Sequence, residues 1–179
     1  MKARLASVAF MFLSFVLLSH HSLSAQDKYL FLEIGGSGGL GSINYERFFP
    51  PKIRNHTGWD GDDGVSPFRW TWRSGFSLSP IDRNNGWVII FPNMFNLIYG
   101  DNNSSHKFEV GAGFAPSITT KGAFFIKSPL SVGYRYQRQN KPLFFRVNYT
   151  PIVAWLLDFQ WQHWAGISVG YRFALKNPS

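Results

Sequence analysis

Hydrophobic and polar residues alternate one by one along much of this chain, a pattern typical of β-strands. The stretch F68-R-W-T-W-R-S-G-F-S-L78 shows it most clearly. Because neighbouring side chains of a pleated strand point to opposite faces, the tryptophans of this stretch share one face and its arginines share the other. Either the tryptophans fill a sealed core, or the protein is inside-out, with aromatic rings facing lipid and arginines facing a closed interior.

Eight such segments, separated by turn residues, indicate an all-β chain. Their lengths, and the lack of a helical period between them, favour an eight-stranded antiparallel up-and-down transmembrane β-barrel, which leaves no sheet edge exposed. The fourth segment contains Pro92, which cannot donate to a β-ladder, so we expect a bulge near residues 92–93. The segments are 28–36, 40–49, 68–78, 87–100, 106–114, 130–137, 143–150 and 164–173.

The polar faces of these segments combine Gly, Ser, Asn and Thr with single charges. An eight-stranded barrel is just wide enough for side chains to fill, and small residues leave room there for long charged side chains to pair. Buried charges must be paired and hydrogen-bonded, so we predict a structural charge network in the lumen. Its predicted members are Glu33, Glu46, Arg69, Arg73, Lys107, Glu109, Arg135, Arg146 and Arg172.

The composition of the two faces favours the inside-out arrangement over a soluble secreted barrel that binds an apolar ligand. The apolar faces are rich in Trp, Tyr and Phe, which are too bulky for a narrow interior. These aromatic residues lie near strand ends, where membrane-interface girdles are expected. The opposite faces carry more Gly and Ser than a surface in water usually has. Aromatic residues form 18% of the chain, which suits such girdles.

The first 25 residues have the pattern of a secretory signal peptide. Lys2 and Arg4 precede an apolar run over residues 5–18, which is shorter than the ~20 residues of a membrane-spanning helix. We expect cleavage after Ala25, or alternatively after Ser24, which leaves residues 26–179 as one barrel domain. Because the chain has no Cys, disulfides and a lipid anchor on cysteine are excluded. The net charge of +8 is spread along the sequence, and we expect no nucleic-acid partner.

The signal peptide, the eight segments and the repeated G133-Y-R-Y136 and G170-Y-R-F173 resemble small outer-membrane β-barrel proteins of Gram-negative bacteria. The resemblance implies a location in the outer membrane, contact with its lipid and lipopolysaccharide, and a monomer. In that family the last strand resembles a signal for the barrel assembly machinery, which is the implied assembly partner. Here residues 174–179 follow the final aromatic. The matching residues are Ile167, Val169, Tyr171 and Phe173.

The family layout implies that both chain ends are periplasmic. The outward-facing connections are then 36–39, 79–86, 115–123 and 152–163, with short inward turns at 101–105 and 138–141. The long 50–66 connection departs from this layout, because it falls on the periplasmic side. The Trp-rich stretch 154–164 is expected to rest at the outer surface of the membrane.

The sequence predicts no catalytic residue. Histidines after the signal peptide are His56, His106 and His163. A lipid A deacylase-like site would need His and Ser on one lipid-facing side of a strand, with an acid to orient the His. Neither His106 nor His163 is followed by such a Ser, so both are expected at strand ends as interfacial polar groups. An enzyme that modifies lipid A acyl chains is the alternative, since a Ser elsewhere can approach His163 in space.

No cofactor or metal site is predicted either. D60-G-D-D-G64 departs from the EF-hand calcium pattern, and G35-G-S-G-G39 lacks the Lys and the helix of a phosphate-binding loop, which favours a tight hairpin. Eight strands leave no aqueous channel, which argues against a porin role. The sequence therefore favours a non-enzymatic barrel that serves envelope structure or surface interaction.

Overall fold

A computed structural model describes residues 27–50, 66–82, 86–101, 104–138, 141–154 and 160–173 of the chain. The predicted signal peptide, the acidic D60-G-D-D-G64 and most of the 50–66 connection lie outside these residues. Within the described ranges, no helix is long and apolar enough to span a membrane.

The alternating segments form β-strands, and one short 3-10 turn, Gly36–Gly38, joins the first two. The strands are β1 (Lys28–Gly35), β2 (Gly41–Phe48), β3 (Phe68–Asp82), β4 (Gly86–Ile90), β5 (Asn93–Tyr99), β6 (His106–Thr119), β7 (Phe124–Gln137), β8 (Leu143–Tyr149), β9 (Ile152–Ala154), β10 (Gln160–Gln162) and β11 (Ala165–Phe173).

These strands close into one antiparallel barrel. β4 and β5 are two parts of the same barrel strand, because both lie between β3 and β6. By the same criterion, β8 continues into β9 and β10 into β11, so the barrel has eight strands in chain order. β1 closes it by pairing with both β2 and β11. The predicted all-β fold, an eight-stranded antiparallel up-and-down barrel, is confirmed.

The apolar faces of the strands form the outside of the barrel and the polar faces form its interior. Trp70 is 53% exposed, whereas Arg73 on the same strand is fully buried. In β1, Leu32 and Ile34 are exposed and Glu33 between them is buried. The inside-out arrangement of the two faces is therefore confirmed, and a sealed apolar core behind the tryptophans is ruled out.

The barrel strand that contains Pro92 is interrupted without a change of register. The pairs that β3 makes with β4 and with β5 follow the same register on both sides of the gap. The expected bulge at residues 92–93 is therefore wrong: the register shift lies between Pro80 and Asp82. At the gap the Gly75 N–H donates to the Pro92 carbonyl at 2.8 Å, so the proline keeps a ladder contact as an acceptor.

Three predicted outer connections are shorter than expected, because strands continue into 79–86, 115–123 and 152–163. Proline and serine made the first two of these stretches resemble loops. In the second, however, the Pro116 carbonyl accepts the Phe91 N–H at 3.0 Å, so the chain remains paired there. The barrel wall is consequently taller on the side of β3, β6 and β7 than at the hairpin between β1 and β2.

Candidate functional site in the barrel interior

The barrel interior gathers most of the charged side chains in the described strands. The nine residues that the sequence analysis assigned to the lumen all lie on inward-facing positions. Six of them are at most 1% exposed, and the other three are half-buried near the end of the barrel where β1 begins. The fully buried set is Glu33, Glu46, Arg73, Glu109, Arg135 and Arg146.

The six buried charges form one chain of alternating sign across the barrel. Arg73 contacts Glu33 at 3.4 Å, and the same Glu33 oxygen contacts Arg146 at 2.9 Å. Arg146 reaches Glu109 at 3.0 Å with its other terminal nitrogen. Arg135 then bridges Glu109 at 3.0 Å and the next carboxylate, Glu46, at 2.5 Å. Three guanidiniums therefore face three carboxylates, and the group is neutral.

Hydroxyl groups satisfy carboxylate oxygens that the arginines leave available. Ser37 and Ser42 donate to the second Glu33 oxygen at 3.4 and 3.5 Å, and Thr71 donates to the second Glu46 oxygen at 2.8 Å. Short side chains on the inward faces make this possible, because they leave the charged groups room to meet. The sequence signal for this arrangement was the mixture of small polar residues and single charges on the same strand faces.

The remaining three predicted residues are separate from the chain of six. Arg69 forms an ion pair with Asp27 at 3.3 Å. Asp27 was not among the predicted lumen charges. Among the described residues, no carboxylate lies within ion-pair distance of Lys107. Arg172 is half-buried at the same end of the barrel, on β11.

An aromatic cluster lies in the lumen beside the ion pairs and was not predicted. The Arg135 guanidinium lies 4.8 Å from the centre of the Phe144 ring, and that of Arg146 lies 4.5 Å from the Phe31 ring. Such contacts stabilise a cation by about 0.5–2 kcal/mol. These aromatic residues occupy the same alternating strand positions as the lumen charges. The period of two could therefore have predicted that they point inward. Its aromatic members are Tyr29, Phe31, Phe48 and Phe144, and Ile98 packs with them.

The glycine-rich hairpin between β1 and β2 folds into the mouth of the barrel. Gly36, Ser37 and Gly38 are buried, and Ser37 accepts a hydrogen bond from Arg73 at 3.0 Å. The Ser77 hydroxyl lies 2.6 Å from the carbonyl oxygens of Gly38 and Gly41, and donates to one at a time. The tight hairpin was predicted, but the burial of Ser37 against Arg73 and Glu33 in the barrel mouth was not.

The described histidines lie on the outside of the barrel and contact tyrosines. His106 contacts the Tyr134 hydroxyl, and His163 contacts the Tyr149 hydroxyl and the Trp161 indole nitrogen. None of these contacts supplies a serine nucleophile or an orienting carboxylate. In the described part of the chain, no group of three or more His, Cys, Asp or Glu side chains is placed to hold a metal ion.

Comparison with known proteins finds this fold in a solved structure. No family model matches the chain, and no curated protein matches its sequence. The chain is similar to the crystal structure of the N-terminal β-barrel domain of Pseudomonas aeruginosa OprF, with a TM-score of 0.51 over 83% of this chain and 96% of that one. Because the two sequences are 12% identical, the similarity shows a shared fold and no more.

Proposed function

We propose that this chain is an integral outer-membrane β-barrel protein with a non-enzymatic role in envelope structure or surface interaction. In this proposal a signal peptide directs the chain out of the cytoplasm, and the barrel holds the connections at its outer end on the cell surface. Its partners are membrane lipid, lipopolysaccharide and the assembly machinery that inserts the barrel.

One observation carries the proposal: a closed barrel with an apolar outside and a charged inside. Large apolar residues on the outer face of every long strand are about half exposed, such as Leu32 at 60% and Val132 at 59%. Such a continuous apolar surface is unstable in water and fits the hydrocarbon of a bilayer. In a closed barrel every strand also has a hydrogen-bonded neighbour on both sides, so its backbone polar groups are paired as the bilayer interior requires.

The lumen residues act as a plug in this proposal. Arg73, Arg135 and Arg146 cross the interior at the level where Phe31 and Phe144 also occupy it. Eight strands already leave little room, so these side chains close the barrel to solutes. We therefore propose the function of an anchor with surface connections, which is supported by the charged and aromatic side chains that fill the interior in the described part of the chain.

Cell fractionation with gel analysis tests the proposal. The protein should be found in the outer-membrane fraction, and unheated samples should migrate differently from heated ones because the closed barrel resists unfolding in detergent. Recovery in a detergent-free soluble fraction would contradict the membrane assignment.

Mass spectrometry of lipid A tests the non-enzymatic role separately. Lipid A from a deletion strain and from the complemented strain should have the same acyl-chain pattern. A pattern that changes on deletion and returns on complementation would establish the acyl-chain-modifying alternative. A complemented strain carrying His163→Ala is the control, because His163 is the histidine on which the acyl-chain-modifying alternative depends.

A further inference from the structure

The lumen carries an excess of positive charge at the barrel end where β1 begins, which is the periplasmic end in the proposed layout. Arg69, Lys107 and Arg172 are half-buried and inward-facing there, and Asp27 is the described inward carboxylate at this end. The other described carboxylate at this end, Asp101, is exposed on the turn after β5. We call Asp27 and the three cations the inner mouth. Three cations and one carboxylate leave two positive charges in excess in the described part of this mouth.

The lumen behind the inner mouth does not supply the missing negative charge. The six buried charges there already pair as three guanidiniums with three carboxylates. Lys107 on β6 is directly opposite Arg135 on β7, and like charges opposite each other in a sheet are destabilising. Arg69 and Arg172 add to this repulsion, and Asp27 offsets part of it. An added anion would therefore stabilise Lys107.

The cations of the inner mouth are held in place and can be reached from water. The Arg69 guanidinium lies 4.6 Å from the centre of the Phe48 ring, and the Arg69 side chain is 18% exposed. Tyr29 and Gln137 are buried at the same end of the lumen, where they hydrogen-bond to each other at 3.1 Å. An anion that enters from the periplasm therefore meets the cations before these two side chains.

We propose that the inner mouth binds a doubly charged oxyanion of the phosphate type, with Lys107 and Arg69 in direct contact with it. Guanidinium and ammonium groups both form strong charge-assisted hydrogen bonds with phosphate oxygens. The excess of two positive charges matches a dianion better than a monoanion. Arg172 adds its charge beside the site and keeps the contacts that it already makes. The inference goes beyond the proposed anchor role and takes from it only the side of the membrane that the site faces.

Isothermal titration calorimetry of the folded protein in non-ionic detergent, at constant ionic strength, tests this site. The wild type should bind inorganic phosphate saturably and more tightly than acetate. Lys107→Gln should lower the affinity for phosphate by about tenfold, because one charge-assisted contact is lost. The gel shift between unheated and heated samples checks that the variant folds. If the wild type shows no saturable phosphate binding, the proposal is wrong.

The matched control is Lys127→Gln, which removes a half-buried, inward-facing lysine at the opposite end of the barrel on β7. It should bind phosphate as the wild type does. An equal loss in both variants would reduce the effect to net charge and overturn the site. Asp27→Asn should instead tighten phosphate binding several-fold, because it removes the carboxylate that competes for Arg69. Unchanged or weaker binding in that variant would contradict the proposal.

Two further arms identify the anion that fills the site. Binding of glycerol phosphate as tightly as inorganic phosphate would assign the site to a phosphate group carried on a larger molecule, and binding of inorganic phosphate alone would assign it to the free ion. The variant Asp60→Asn/Asp62→Asn/Asp63→Asn removes the acidic stretch that lies outside the described residues. If phosphate bound to this variant and not to the wild type, the chain's own carboxylates would fill the site, and the proposal would be overturned.

The titration and the fractionation separate the two proposals. A protein found in the outer membrane that binds no phosphate keeps the anchor role and loses the anion site. A protein found in the soluble fraction that binds phosphate through Lys107 keeps the anion site and loses the membrane assignment.

Discussion

Arg135 combines two ways of stabilising a buried cation. Its charge is matched by Glu46 and Glu109, and its flat guanidinium lies within 4.8 Å of the Phe144 ring centre and 5.5 Å of the Phe48 ring centre. Removing an ion from water costs several kcal/mol, and ion pairs offset this cost only when the geometry is good. The aromatic rings therefore stabilise the part of the Arg135 guanidinium that neither carboxylate contacts.

Glu109 lies in the middle of the chain of ion pairs, where it contacts both Arg135 and Arg146. We expect Glu109→Gln to lower the free energy of unfolding by about 3–5 kcal/mol, since two buried guanidiniums lose a shared counter-charge. Urea titration of tryptophan fluorescence in lipid vesicles measures this. The control Asp101→Asn removes a carboxylate from an exposed turn and should change stability by no more than about 0.5 kcal/mol. Equal effects would argue against a structural role for the network.

The hairpin between β1 and β2 is the element that most directly couples backbone shape to the charge network. Gly36 has a φ of 77°, in the left-handed region, and an added Cβ would lie 2.7 Å from the Glu33 carboxyl carbon. Glu33 cannot yield easily, because Arg146 and Arg73 hold the same oxygen at 2.9 and 3.4 Å. The hairpin therefore needs a residue without a side chain at Gly36 to leave room for the paired Glu33 carboxylate.

Gly36→Ala compared with Gly122→Ala tests this fit. Gly122 has a similar φ of 89°, but nothing lies within 4 Å of an added Cβ, so its substitution isolates the backbone strain. We expect Gly122→Ala to cost about 1 kcal/mol and Gly36→Ala about 3 kcal/mol, because the second also displaces a buried, paired carboxylate. The same urea titration compares them. If the two variants lost equal stability, the hairpin would not be packed against Glu33.

The whole barrel carries apolar residues on its outside and charged residues in its interior, the reverse of a water-soluble protein. The effect of a charge placed on the outside should therefore depend on its depth along a strand. Val132 and Phe124 lie on the same outer face of β7 and are 59% and 57% exposed. Val132 is near the middle of the wall and Phe124 is at the tall outer end. In water these positions would tolerate a charge equally, whereas a bilayer distinguishes them by depth.

We therefore expect Val132→Arg to lower the free energy of unfolding from vesicles by about 2–4 kcal/mol, and Phe124→Arg by about 0–1 kcal/mol. The measurement is urea unfolding in bilayers of fixed thickness, with the gel shift between unheated and heated samples as a check on folding. Similar small losses at both positions would mean that the apolar wall does not contact hydrocarbon.

The sequence determined the secondary structure and the direction of the side chains, because both follow from a local period of two. It identified the strands, their outward aromatic faces and the nine inward charges, since each residue's face depends only on its position along its own strand. It misjudged stretches with local loop chemistry, such as Pro116, whose carbonyl remains in the ladder.

Only the tertiary structure decided which charges meet. Arg146 and Glu33 are far apart in the sequence and touch because closure of β1 against β11 brings β8 within reach of β1. The stacking of guanidiniums on Phe31 and Phe144, and the inward fold of the hairpin at Gly36, likewise depend on the width of the closed lumen. A strand's own period fixes the face of a residue, but the register and closure of the whole barrel fix its partner.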